Sequence, residues 1–239
     1  MKYRSHVSLI VFSAFFAVAL AIAVALACSR YIENDLIGAP QESDVLQTMP
    51  SESLTEDKAG EDAPSIGNGL RFISNGDGTC VLAGIGSCRD ACVVIPEYAP
   101  NGDRVTAVAA MALYQCTTVT MLQLPASVTD IGGLAFADCP NLVYVSVSAG
   151  NPNYRDVDGV LYTADESTLI LYPAKRTGSV ARIRSVTTKI EDMAFYSCVY
   201  LTRISYSGTA EQGEEIRIGF KNYSLSAAAK SFCEADAAT

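Results

Sequence analysis

Leu124–Val145 reads LPASVTDIGGLAFADCPNLVYV, and the same pattern is legible three times in the chain. The upstream copy carries Val105-Thr106-Ala107-Val108, Ala112-Leu113, Cys116, Val119 and Leu122. The middle copy carries Val128, Ile131, Ala135-Phe136, Cys139, Leu142 and Val145. The downstream copy carries Thr187, Ile190, Ala194-Phe195, Cys198, Leu201 and Ile204. Cys116 and Cys139 stand 23 residues apart, as do Ala112 and Ala135, while Cys139 and Cys198 stand 59 apart, one period plus 36 inserted residues. Small and apolar residues held in register at a period in the low twenties mark a solenoid, in which each coil closes the open apolar face of its neighbour.

Within each copy the segment after the cysteine alternates: Val119-Thr120-Met121-Leu122-Gln123-Leu124, Leu142-Val143-Tyr144-Val145-Ser146-Val147 and Leu201-Thr202-Arg203-Ile204-Ser205-Tyr206. The period of two predicts a short strand with alternate side chains buried. The outward set is then Met121, Gln123, Tyr144, Ser146, Arg203 and Ser205. The Ala-Leu and Ala-Phe pairs predict a short helical turn in which alanine permits close approach and the larger residue fills the coil. The expected fold is a β-rich solenoid, with a short strand and a short helical turn per ~23-residue coil and β-rich caps at both ends.

Outward from the repeats, the chain divides by charge. Residues 1–30 carry three basic residues and no acid, 31–64 carry nine acids and one lysine, and 65–239 carry 13 basic and 17 acidic residues, giving the net charge of −9. Lys2 and Arg4 precede an apolar run from Val7 to Cys28 that ends in Ala25-Leu26-Ala27-Cys28. Three readings of residues 1–28 stay open: a cleaved signal peptide, an uncleaved membrane anchor, or a lipoprotein signal with Cys28 as the lipid attachment point, although Ala25 stands where leucine is usual. All three put the remainder outside, because positive charge precedes the span and acids follow it. Residues 29–64, rich in Glu, Asp, Ser and Pro, lack the periodic apolar residues that offset ordering entropy, and read as a disordered acidic linker.

Residues 65–239 form the repeat domain. In residues 69–96, Asn75-Gly76-Asp77-Gly78 predicts the turn of a hairpin, and a strand at 91–95 ends at Pro96, so this segment reads as an N-terminal cap. Residues 97–145 hold two repeats, 146–182 a long hairpin insertion, 183–204 the third repeat and 205–233 a C-terminal cap. In the insertion, Asp156–Tyr162 and Thr168–Pro173 read as strands around a polar turn at 163–167. Lys175, Arg176, Arg182, Arg184 and Lys189 then follow without an intervening acid. Such a run is either a charge-guarded strand edge or a basic edge, centred on Arg182, Arg184 and Lys189, for an anionic partner.

The pattern V-T-x-I-x-x-x-A-F-x-x-C-x-x-L-x-x-V resembles the bacterial BspA-type, or Treponema-type, leucine-rich repeat, and Val128–Val145 matches it throughout. Asn75–Thr79 with Gly84–Cys88 is similar to that family's N-terminal cap. Asn151–Tyr154 with Asp158–Tyr162 and Leu169–Pro173 is similar to its wide repeat. Tyr206–Gln212 with Ile216–Gly219 is similar to its C-terminal cap, which carries tryptophan where this chain has Gly213. The resemblance covers residues 69 to about 233. It implies a leucine-rich-repeat solenoid on a secreted or surface protein of the bacterial envelope, of a family whose members tend to bind host matrix, host cells or other microbes, so a protein or glycan at the cell surface is the expected partner.

The residue inventory points the same way. The only histidine is His6 and there is no tryptophan, which removes His-based triads and most zinc chemistry from the repeat domain. Without histidine or a C-x-x-C pair, no metal site and no cofactor are expected. Cys116, Cys139 and Cys198, one per period, read as a buried structural ladder whose parallel side-chain vectors disfavour disulfides. One bridge among Cys80, Cys88 and Cys92 stays open in an oxidising compartment. The acid pairs Asp156/Asp158 and Glu214/Glu215 read as loop carboxylates, so no catalytic residue is assigned. Unclustered basic charge argues against nucleic acid. Two roles lead: a membrane-tethered module that engages a partner through Gln123, Tyr144, Ser146, Arg203 and Ser205, and a structural envelope protein that self-associates; a glycan-active enzyme, which would depend on a carboxylate such as Asp158, is the third.

Overall fold

The computed structural model describes residues 69–232; the leader with Cys28, the acidic linker and Cys233 lie outside the described residues. Those described form a β-solenoid of about six turns with little helix, as the 23-residue spacing predicts. In the N-terminal cap, β1 (Arg71–Ser74) and β2 (Thr79–Gly84) pair antiparallel around Asn75–Gly78, and β3 (Cys92–Val94) follows. The two regular coils contribute β4 (Arg104–Val108) with β5 (Met121–Leu124) and β6 (Asp130–Ile131) with β7 (Tyr144–Val147). The wide coil contributes β8 (Tyr154–Val157), β9 (Val160–Thr163), β10 (Thr168–Leu171) and β11 (Val180–Arg184). The last coil and cap hold β12 (Lys189–Ile190), β13 (Arg203–Ser207), α1 (Ala210–Glu214), β14 (Arg217–Ile218), α2 (Tyr223–Ala227) and β15 (Ala229–Phe232).

Each regular coil supplies one strand before its turn and one after it, and the wide coil three before and one after. Strands after the turn make two parallel sheets, β3-β5-β7 and β11-β13-β15. Strands before it make β1-β2-β4-β6 and β14-β12-β10-β9-β8. Alternation within the strands buries Leu122, Leu124, Val145, Ile204 and Tyr206, each apolar side chain contributing about 1.5–3 kcal/mol when fully removed from water.

The predicted helical turn is not helical. Met111, Gln115, Leu134, Asp138, Met193 and Ser197 all take left-handed φ between 55° and 61°. Ala112 donates to the Ala109 carbonyl (3.2 Å), Tyr114 to Met111 (3.1 Å) and Cys116 to Leu113 (3.1 Å). The N–H groups between them leave the coil: Met111 donates to Gly133 (3.2 Å), Leu113 to Ala135 (2.7 Å) and Gln115 to Ala137 (3.2 Å). A helix would spend every N–H inside its own coil. The linked turns spend every second one on the next coil, and that stacking overrides the alanine-rich propensity and offsets the left-handed strain, about 1–2 kcal/mol per residue.

The insertion also differs from the expected hairpin. Asp158 (φ 51°) and Gly159 (φ 78°) form a tight turn that splits the expected strand 156–162 into β8 and β9, which pair antiparallel with Val157 opposite Val160. With β10 they make three consecutive antiparallel strands. Both faces of β9 are buried: Leu161 joins a core cluster with Val105, Leu122, Phe136 and Val145, while Val160 and Tyr162 join a second with Leu169, Tyr172, Phe195 and Ile204. The strand is a septum between two cores, so Val160, Leu161 and Tyr162 are apolar in succession rather than in alternation.

Candidate functional site

The outward strand residues fall on two sheets, not one. In the first, Met121 stands opposite Tyr144 and Gln123 opposite Ser146. In the second, Val180 stands opposite Arg203 and Arg182 opposite Ser205, with Ser231 next in the row. The register therefore joins two sets that the sequence keeps apart: Arg182 of the basic run lies beside Ser205 and diagonal to Arg203. Arg182 and Arg203 are exposed and Ser205 is half-buried.

Tyr144, expected to point outward, is half-covered. Its ring packs against Gly159, where a Cβ would come within 2.3 Å of the ring carbon Cδ2. Its hydroxyl lies 3.5 Å from Asp156 Oδ2, and Asp156 Oδ1 accepts from the Val147 N–H at 2.9 Å. Burial, reinforced by the Asp156 charge, pushes the Tyr144 phenol up. Tyr144 and Asp156 thus dock the β8-β9 turn onto β7. Gln123 is half-buried, its Nε2 3.5 Å from Ser148 Oγ, and Ser146 is half-buried beside it.

The basic edge is mostly compensated in space. Glu166, buried at 8 % exposure, pairs with Arg155 Nη1 at 2.9 Å through Oε1 and with Arg184 Nε through Oε2. Lys189 Nζ is 2.6 Å from Glu191 Oε1. Lys175 donates to Asn141 Oδ1 at 3.3 Å, and Arg176 donates to the Asp158 carbonyl while its guanidinium lies 5.9 Å from the Tyr172 ring centre. Of Arg182, Arg184 and Lys189, only Arg182 keeps its charge outside an ion pair among the described residues. The run is acid-free in sequence, but the fold returns Glu166 to it from the turn between β9 and β10.

The repeat cysteines are built into the turns. Cys139 Sγ donates to the Leu113 carbonyl at 3.1 Å and Cys198 Sγ to the Tyr172 carbonyl at 3.7 Å, while Cys116 Sγ lies 3.4 Å from Thr118 Oγ1. Burial pushes the Cys139 and Cys198 thiols up to about 12, far from the thiolate state that makes a cysteine reactive. No disulfide joins the described cysteines, Cys80, Cys88 and Cys92 among them. Of the acid pairs, Asp156 is spent on Val147 and Tyr144, and Glu214 and Glu215 are exposed on and just after α1.

At the C-terminal cap the Phe232 ring takes the room that a side chain at position 213 would need; a Cβ on Gly213 would lie 2.5 Å from it. Buried Asn222 closes the last regular turn. It accepts from the Phe195 N–H at 2.9 Å and donates to the Glu191 (3.0 Å) and Gly219 (2.9 Å) carbonyls. Sequence reading missed Glu166 and Asn222. Nothing local marks either, because Glu166 acts on residues 11 and 18 positions away and Asn222 on residues 27 and 31 positions away.

Residues 98–156 match the family model described as BspA type Leucine rich repeat region (6 copies), and this stretch is BspA-type leucine-rich repeat. No curated protein matches the chain. Among solved structures, the pneumococcal vaccine antigen PcpA is similar at 22% identity over 54% of this chain and 31% of its own, with a TM-score of 0.46. The leucine-rich repeat protein of T. pallidum is similar at 16% identity over 66% of this chain and 82% of its own, with a TM-score of 0.38. One from Bacteroides capillosus is similar at 21% identity over 69% and 94%, with a TM-score of 0.33. The chain thus spans about a third of PcpA. Among the described residues no helix is long and apolar enough to cross a membrane.

Proposed function

We propose that this chain is an extracytoplasmic binding module of a bacterial cell surface, held to the membrane through residues 1–28, that engages a protein or glycan through its strand face. The observation that carries the reading is the register of β11 and β13, which places Arg182, Arg203 and Ser205 side by side on a rigid parallel sheet. A pre-ordered face loses little conformational freedom on binding, so a few contacts suffice for affinity. Gln123 and Ser146 extend the reading to the first sheet, and Tyr144 serves it as a support for the wide coil. The repeat type of residues 98–156 supports an interaction role rather than an enzymatic one.

The test is a binding screen of the full-length chain against matrix proteins and glycans with salt titrated. The expected result is a saturable hit that Arg203→Ala weakens by about tenfold or more, the size of a modest hot spot. The structural reading is favoured by Ile218, Phe220, Tyr223 and Phe232, large apolar residues exposed at the C-terminal end of the solenoid. A mass that rises with concentration, with no hit in the screen, would replace the first reading by this one.

A further inference from the structure

The row of turns is interrupted once, and the interruption opens a cleft. Position 113 of the first regular coil recurs at 136, 172 and 195. The Leu113 N–H donates to Ala135 at 2.7 Å, Tyr172 to Ala194 at 2.9 Å, and Phe195 to the Asn222 side chain at 2.9 Å. Phe136 has no such acceptor among the described residues. Two residues earlier the pattern repeats: Met111 donates to Gly133 at 3.2 Å and Met193 to Phe220 at 2.9 Å, but Leu134 has no acceptor among the described residues.

The cause lies in the wide coil. After Tyr154, β8 and β9 run to the Asp158-Gly159 turn, whose Gly159 carbonyl accepts from Val145 at 3.0 Å on the strand face. The turn position of the wide coil, Tyr172, bonds onward to Ala194, but among the described residues no backbone hydrogen bond ties this turn to residues 132–138. A cleft of about 340 Å³ remains there, with Leu134 and Phe136 on one wall and Ile170, Leu171 and Met193 on the other. Hydrogen bonds hold it at two places: Ile131 N–H to the Tyr154 hydroxyl at 3.0 Å, and Ser197 Oγ to Asp138 Oδ1 at 2.9 Å. The volume is in the range of small-ligand sites, about 300–1,000 Å³. Phe136 is only 3 % exposed, and a buried N–H without a partner is costly enough to require an explanation, about 1–3 kcal/mol. At the end of the regular coils the same donor is satisfied by Asn222, so this repeat position does not ordinarily go unpaired.

We propose that this cleft binds a short peptide segment of a partner protein, whose main-chain carbonyls at alternate residues accept from the Leu134 and Phe136 N–H groups. The first coil shows the mould. Its equivalent donors, Met111 and Leu113, are filled by the carbonyls of Gly133 and Ala135, two small residues that flank Leu134. Main-chain pairing of this kind recognises peptide by backbone rather than by side chain. Ile170 and Met193 supply an apolar wall, which suits a segment with apolar side chains. The site lies on the turns and stands or falls independently of the strand face.

The test follows the amide protons of Leu134 and Phe136 by NMR in the full-length chain. The probe is a blocked pentapeptide with the sequence of Gly133–Ala137. The expected result is a saturable shift of these two amides, with exchange slowed at least about tenfold at saturation and no change at Met111 or Leu113. Ile170→Trp, which fills the cleft, should abolish the shift. Amides that already exchange as slowly as Leu113 without peptide, or no saturable shift at millimolar peptide, would overturn the proposal. So would protection by an oligosaccharide and not by the peptide, or peptide binding untouched by Ile170→Trp.

Discussion

The junction between the two regular coils and the junction between the second of them and the wide coil use the same kind of residue to opposite ends. At the first, three turn N–H groups cross to Gly133, Ala135 and Ala137. At the second, the equivalent Leu134 and Phe136 face a cleft. Sequence at the turns does not distinguish them: Ala112-Leu113 and Ala135-Phe136 carry the same small-then-large pair. The difference comes from residues 20 to 35 positions later, where Asp158-Gly159 diverts the chain. A repeat position is therefore only as satisfied as the next coil makes it, and an irregular coil is where a solenoid exposes its backbone.

The comparison can be broken most forcefully at the phenylalanines. Phe195 is fully buried and stacks on Tyr172 with ring centres 4.8 Å apart. Phe136 is buried too, but it borders the cleft, where neighbours have room to move. Phe195→Ala should cost about 3–5 kcal/mol of unfolding free energy, and Phe136→Ala clearly less, because a site able to collapse recovers part of the cavity cost. Equal losses in denaturant unfolding would mean that the cleft gives its neighbours no freedom.

Next in size is the hydrogen bond that ties Tyr154 to Ile131. Tyr154→Phe removes the hydroxyl that accepts from the Ile131 N–H at 3.0 Å and leaves a half-buried donor, so a loss of about 1–3 kcal/mol is expected. Thr129 makes a control at the regular junction: its hydroxyl is 3.5 Å from the Thr106 carbonyl, but its N–H already holds that carbonyl at 2.9 Å. Thr129→Val should therefore change stability by much less. A Tyr154→Phe variant as stable as the parent would show that this end of the cleft is not held by that bond.

These contrasts bear on what the sequence discloses. The period, the strands and the cap hairpin follow from residues a few positions apart: alternation in Met121–Leu124 and Tyr144–Val147, and Asn-Gly-Asp-Gly at 75–78. Asp158-Gly159 was legible by the same rule that found the first hairpin, but it lies inside the stretch Asp156–Tyr162, which reads as one strand. The turns were not legible. Left-handed backbone ordinarily announces itself by glycine or asparagine, whereas here Met111 and Met193 adopt it with their N–H groups bonded to the next coil, and Leu134 adopts it between Gly133 and Ala135, whose carbonyls accept from the coil before. The compensation of Arg184 by Glu166, the covering of Tyr144 and the cleft itself depend on how the wide coil is laid, and no local pattern in residues 146–182 encodes that path.

The smallest effect tests the strain shared by both junctions. Met111 and Leu134 have the same φ, 59°, so glycine should relieve the same left-handed cost at each, about 1 kcal/mol, partly offset by the greater freedom of glycine in the unfolded chain. Any difference between the two substitutions then reports side-chain contacts and not backbone. Met111 is 51 % exposed and has little to lose, so Met111→Gly should be neutral or stabilising by up to about 1 kcal/mol. Leu134 is half-buried on the cleft wall, so Leu134→Gly should come out below it by whatever apolar contact the cleft retains. The β-branched control Met111→Val should destabilise by about 1–2 kcal/mol, since a side chain branched at Cβ tolerates positive φ least. If Met111→Gly proved clearly destabilising in denaturant unfolding, the inter-coil bond to Gly133 would not be what holds this residue left-handed, and the stacked-turn account of both junctions would fail with it.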